Sequence, residues 1–184
     1  MSAPGLLRAQ ASTLLVVDVQ ARLAPAIHDG SALVGRIGWL TRLAQAIGVP
    51  VAATEQYPKG LGGTVPELAA LLPREAIGEK LTFSCADADC LAALPGADRP
   101  QVVIAGMEAH VCVLQSAFGL SSRGREVFVV ADAVGSRDPA NHALALERMR
   151  QRGIAVVSRE MVAFEWLERA GTDRFRQVSR DFLR

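Results

Sequence analysis

An acid, a lysine and a cysteine each stand where an apolar run of the chain stops. Asp18 closes TLLVVD (13–18), Lys80 closes AIGEK (76–80), and Cys112 follows QVVIAG (101–106) inside GMEAHVCV, at the apparent start of a helix. A thiol is mostly protonated at neutral pH, and the thiolate is the nucleophile, so a reacting cysteine needs a group that takes its proton or favours its charge. Three such influences are at hand. A carboxylate at Asp18 can accept the proton, an ammonium at Lys80 can hold negative charge, and the helix N-terminus near Cys112 offers partial positive charge and unpaired amides. Those amides can also bind the oxyanion made when sulfur attacks a carbonyl. Each residue has a plainer reading as well. Free cysteines are often core residues, strand-end acids are often caps, and lone lysines are usually solvated. Their shared position at strand ends is what points to chemistry.

The elements that must bring them together alternate along the chain. Runs 13–18, 49–54, 76–80, 101–106, 126–132 and 154–158 read as strands, mostly continuous and apolar as in a sheet covered on both faces. Leu33, Val34, Ile37, Leu40, Leu43, Ala44 and Ile47 recur at helical spacing before Gly48 and Pro50 stop the pattern. Further helices are predicted from Val111 to about Arg123, from Pro139 to Arg152, and in the segments MVAFEWLERA and DRFRQVSRDFLR. Strands joined by crossover helices predict an α/β fold, a three-layer α-β-α sandwich on a six-stranded parallel sheet, Rossmann-like in type. Ligands of such sheets bind beyond the carboxyl ends of the strands, where Asp18, Lys80 and the turn before Cys112 lie.

Composition narrows the partners. With 184 residues the chain is read as one domain, and 20 basic against 19 acidic side chains supply no net field toward nucleic acid or an anionic membrane. The start, MSAPGLLRAQ, lacks the apolar region of a secretory signal, no run is long enough to span a bilayer, and a cytoplasmic location is the expectation. Three cysteines, Cys85, Cys90 and Cys112, are read as reduced thiols. DVQARLAP after the first strand has no dinucleotide fingerprint, and KGLGGT lacks the order of a phosphate loop.

LLVVDVQ, the Glu79-Lys80 pair and GMEAHVCV together resemble the isochorismatase-like cysteine hydrolase superfamily, over about residues 12–160 and in the right order. TEQYPKGLGGT and SRDPANHALALERM look most like its isochorismatase-domain-containing branch. The resemblance implies a strand order of 3-2-1-4-5-6 and an Asp18, Lys80 and Cys112 triad. It also implies a cis peptide between Met107 and Glu108 and an oxyanion hole from the amides of Glu108 and Cys112. The expected activity is hydrolysis of a small amide-like substrate through a Cys112 thioester, without cofactor. Homo-oligomers are common in the family, and Phe175, Val178, Phe182 and Leu183 form an apolar stripe that suits either a subunit contact or the chain's own core. One geometric question accompanies this order: the strand carrying Lys80 lies two strands, roughly 10 Å, from the one carrying Asp18.

Other chemistries fit less well. The Asp-x-His motif that holds a metal in nicotinamidases has no histidine counterpart in TEQYPKGLG, and His28, His110 and His142 show no ligand spacing, so no metal is expected. Cys85 and Cys90 lack the partner pair of a zinc site and are read as structural thiols. Gln20, Glu55, Gln56, Tyr57, Phe83 and His110 adjoin the strand ends and are candidate pocket residues, with loop packing as their alternative role. Vinyl ether hydrolysis of an isochorismate-like substrate and a noncatalytic interaction protein with a redox-sensitive thiol remain as rival functions.

Overall fold

The computed structural model describes residues 5–183. Its strands β1 (Ser12–Val17), β2 (Val51–Gln56), β3 (Ile77–Lys80), β4 (Gln101–Met107), β5 (Glu126–Gly135) and β6 (Ala155–Val157) form one sheet. The order is β3-β2-β1-β4-β5-β6 and every pairing is parallel, so fold class and strand order are as expected. Helices α1 (Gly30–Ile47), α2 (Leu114–Ser122), α3 (Pro139–Gln151), α4 (Arg159–Leu167) and α5 (Asp173–Phe182) cover its faces.

Every residue of β1, β2 and β4 is buried, which explains their continuous apolar sequence. Side chains alternate across a strand, and β1 divides accordingly. Leu14 and Val16 join a core with Ile37, Leu40 and Leu43 of α1, Trp166 of α4 and Val178 of α5. Leu15 and Val17 join the opposite core with Ala117 and Leu120 of α2 and Met149 of α3. The C-terminal stripe resolves inward. Val178 is buried, Phe175, Phe182 and Leu183 pack on the first core, and Phe182 meets Trp39 edge-on at 5.8 Å.

Strand ends shift by one to three residues from expectation, and two of the differences matter to the site. Strand β2 runs on from Thr54 to Gln56 because β3 pairs with it to the end, Gln56 opposite Lys80. The segment after β4 does not enter an α-helix directly. The Met107–Glu108 peptide bond is cis, a π-helical turn spans Ala109–Val113, and the α-helix begins at Leu114. Gly106 makes the passage possible. It pairs with Val17 at φ 127°, and a Cβ there would sit 2.1 Å from the Val17 carbonyl oxygen.

Candidate active site

Asp18 is the first residue beyond the central strand. It leaves β1 in the left-handed region (φ 52°), which aspartate tolerates better than most residues, and it is completely buried. Its carboxylate oxygens have separate partners. Oδ1 accepts from the Thr54 hydroxyl at 2.7 Å, and Oδ2 accepts from Lys80 Nζ at 2.7 Å. Neither side chain of the ion pair reaches solvent. A buried pair of this kind is tolerable only when the remaining hydrogen-bonding capacity is filled. Lys80 Nζ accordingly also donates to Gln56 Oε1 at 2.8 Å and to the carbonyls of Phe83 and Thr82 at 3.1 and 3.2 Å.

The intervening strand closes the two-strand gap between Lys80 and Asp18. Thr54 and Gln56 are two residues apart on β2 and therefore share a face. Thr54 braces the carboxylate, while Gln56 holds the ammonium and donates its own Nε2 to the Leu81 carbonyl at 2.7 Å. Glu55, on the opposite face, accepts from the Thr64 amide and hydroxyl at 2.7 and 2.8 Å.

Cys112 lies in the π-helical turn and keeps 6% exposure. Burial pushes its thiol well above the ordinary range; the negative charge of Asp18 and a hydrogen-bonding contact with that carboxylate add to the rise, and Lys80 opposes it. Burial is the largest of these influences, so the surroundings favour the protonated sulfur over the thiolate.

Cys85, read from the sequence as structural, belongs to the same cluster. It is fully buried, its Sγ lies 3.5 Å from Thr54 Oγ1, and its amide donates to Ser116 Oγ at 2.8 Å. Burial and the charge of Asp18 push its thiol up to about 11. Thr54 and Cys85 are the site residues that sequence reading missed. The only available signal was that Thr54 shares a strand face with Gln56.

The six candidate pocket residues divide. Gln20 gives Nε2 to the carbonyls of Gln56 and Gly62 and accepts from the Gln56 amide, so it braces the loop rather than facing a ligand. Glu55 and Gln56 are likewise committed inside the protein. Tyr57 and Phe83 are each 52% exposed. His110 Nδ1 lies 2.9 Å from Ser136 Oγ, and beside it Glu108 accepts from the amide and Nε of Arg137 at 3.0 and 3.1 Å. A groove of about 550 Å³ beside β3 is lined by residues that include Tyr57, Lys59, Lys80, Leu81 and Asp87, whereas Asp18 and Cys112 do not line it. Among the described residues no group of histidine, cysteine and acidic side chains is disposed to hold a metal ion, and no helix is long and apolar enough to cross a membrane.

A parallel α/β sheet with an acid, a lysine and a thiol gathered at its carboxyl edge defines a class, and comparison with known proteins agrees on which. The isochorismatase domain model matches residues 12–161, and the chain belongs to that family. Isochorismatase domain-containing protein 2 of Danio rerio is 35% identical over 183 residues, covering 98% of this chain and 91% of the relative. Among solved structures, one described as MAR1 ribonuclease from Caenorhabditis elegans superposes with a TM-score of 0.87 at 32% identity, covering 98% of this chain and 93% of the other. The ycaC gene product of Escherichia coli, described as an octameric hydrolase of unknown specificity, gives a TM-score of 0.84 at 27% identity, covering 92% and 85%. Family membership and these neighbours make a hydrolase the coarse function.

Proposed function

We propose that the protein is a metal-independent cysteine hydrolase that cleaves a small amide-like C–N bond through a thioester on Cys112. The observation that carries this reading is one carboxylate, Asp18, ion-paired with Lys80 at 2.7 Å and near enough to Cys112 for its charge to push that thiol up. Because the resting sulfur holds its proton, the nucleophile is generated as the substrate arrives. Asp18 takes the thiol proton while sulfur forms its bond to the acyl carbon, and the backbone amides of Glu108 and Cys112 receive the oxyanion. Collapse breaks the C–N bond, and the amine leaves with the proton from Asp18. Water then gives a proton to Asp18 and its oxygen to the thioester carbon, and the carboxylic acid departs as the Cys112 thiol is restored. Lys80 stays charged throughout and fixes the carboxylate.

Assembly into a homo-oligomer is part of the proposal, supported by the octamer described for the E. coli neighbour. The ribonuclease description of the C. elegans neighbour names other chemistry. The near-neutral charge balance here, with 20 basic and 19 acidic residues, does not favour a polyanionic substrate.

Screening small primary and carbamoyl amides by ammonia release tests the reading. Cys112→Ala is expected to lower turnover by about 1000-fold or more with the fold retained, and the wild type to accumulate an acyl mass on the Cys112 peptide. Undiminished turnover by Cys112→Ala removes the nucleophile and with it the thioester, and favours a reaction such as vinyl ether hydrolysis that has no use for the sulfur.

A further inference from the structure

Counting protons around Asp18 assigns work to two residues that the reaction above leaves idle. Thr54 has one hydroxyl proton, and the 2.7 Å bond to Asp18 Oδ1 uses it, since the carboxylate oxygen can only accept. The contact of 3.5 Å between Thr54 Oγ1 and Cys85 Sγ then has one possible polarity: the thiol donates and the hydroxyl oxygen accepts. Cys85 is anchored for this by its amide, which donates to the buried Ser116 hydroxyl at 2.8 Å.

We propose that Cys85 and Thr54 form a directed relay, S–H to O–H to carboxylate, that positions the Asp18 base. The sulfur proton occupies the hydroxyl oxygen, so the Thr54 rotor is left with one good orientation, toward Oδ1. With Oδ1 engaged by Thr54 and Oδ2 by Lys80, the carboxylate plane is fixed at both ends, and its remaining accepting capacity faces Cys112. A hydrogen bond to an ionised acceptor is roughly twice as strong as a neutral one, so the Thr54 link is the stronger step and the thiol link serves to orient it. Both are positioning residues, acting through Asp18. Their effect on turnover rests on the hydrolase reading; the relay itself rests on the hydrogen-bond geometry.

Paired substitutions separate donation from packing. Thr54→Val keeps the shape and removes the donor, whereas Thr54→Ser keeps the donor and trims a methyl. Cys85→Ala removes the donor, whereas Cys85→Ser keeps one at some cost to an apolar environment. The relay predicts a kcat lower by about 10- to 100-fold for Thr54→Val and about 3- to 10-fold for Cys85→Ala, with KM little moved. The serine variant at each position is expected to recover most of the loss. Packing alone predicts the reverse ranking, valine above serine at 54 and alanine above serine at 85, and that ranking overturns the proposal. A second readout needs no substrate: the rate of iodoacetamide alkylation at Cys112 at one fixed, mildly alkaline pH, followed on its peptide by mass spectrometry. In Thr54→Val this rate falls, because Oδ1 is freed to accept from the thiol and a hydrogen bond to the neutral form favours it. An unchanged rate counts against the relay. If Cys112→Ala abolishes turnover while Thr54→Val and Cys85→Ala match the wild type, the relay fails and the hydrolase stands. If no amide is turned over while alkylation of Cys112 slows in Thr54→Val as described, the relay stands and the hydrolase reading fails.

Discussion

Removing the ammonium of Lys80 tests the energetic basis of the site most directly. Lys80→Met keeps the length of the stem but leaves the fully buried Asp18 carboxylate without a counterion. It also strips a donor from Gln56 Oε1, at 2.8 Å, and from two backbone carbonyls, at 3.1 and 3.2 Å. Deleting one partner of a buried pair costs about 3–5 kcal/mol, and the three additional orphaned acceptors place this case toward the upper end. For a chain of this length about 1 kcal/mol corresponds to roughly 2–4 °C in Tm, so a fall of about 8–20 °C is expected by scanning calorimetry. Pairing Lys80→Met with Asp18→Asn removes the uncompensated charge, and the double variant should be less damaged than the sum of the singles by about 2 kcal/mol or more. A Lys80→Met protein within about 1 kcal/mol of wild type, or strict additivity in the cycle, would show that the pair is exposed to water and would refute the description of the site.

Two further outcomes follow from the same structure. Cys85 has its thiol raised from 9.0 to about 11, so the native state holds that proton more tightly than the unfolded chain. Its contribution is complete below pH 9 and disappears as pH rises to about 11, a loss of roughly 3 kcal/mol. Denaturant titrations at several pH values should show this alkaline decline in the wild type and a shallower one in Cys85→Ala; equal slopes would contradict it. Gly106→Ala places a methyl 2.1 Å from the Val17 carbonyl oxygen at φ 127°, and it should destabilise by about 4 kcal/mol or more or prevent folding. A thermal midpoint close to that of the wild type would mean that β1 and β4 separate more easily than their register implies.

The legible part of this protein was what periodicity and strand ends encode. Continuous apolar runs such as 13–18 and 101–106, short and rich in β-branched residues, read as strands covered on both faces, and the acid or turn that ends each run is then placed at the sheet's carboxyl edge. Three features escaped because they depend on side chains meeting across strands. Thr54 looks like an ordinary strand residue until Gln56 is seen to pair with Lys80, which fixes the face that Thr54 presents. Cys85 follows Lys80 by five residues in an irregular segment, where no period reports direction. The balance of influences on Cys112 was hidden for a related reason. Lys80 and the helix terminus are visible in sequence, whereas the burial that outweighs them is a property of the packed site.

The ammonium of Lys80 is gripped by the carbonyls of Thr82 and Phe83, while the side chain of Phe83 stands in solvent and Leu81 beside it is 77% exposed. The loop is thus tied to the buried ion pair through main-chain carbonyls, which every amino acid supplies in much the same form. Its outward residues can be exchanged as freely as tiles on a fixed frame. A lineage can change the chemistry of this rim by point substitution without disturbing the charge pair beneath.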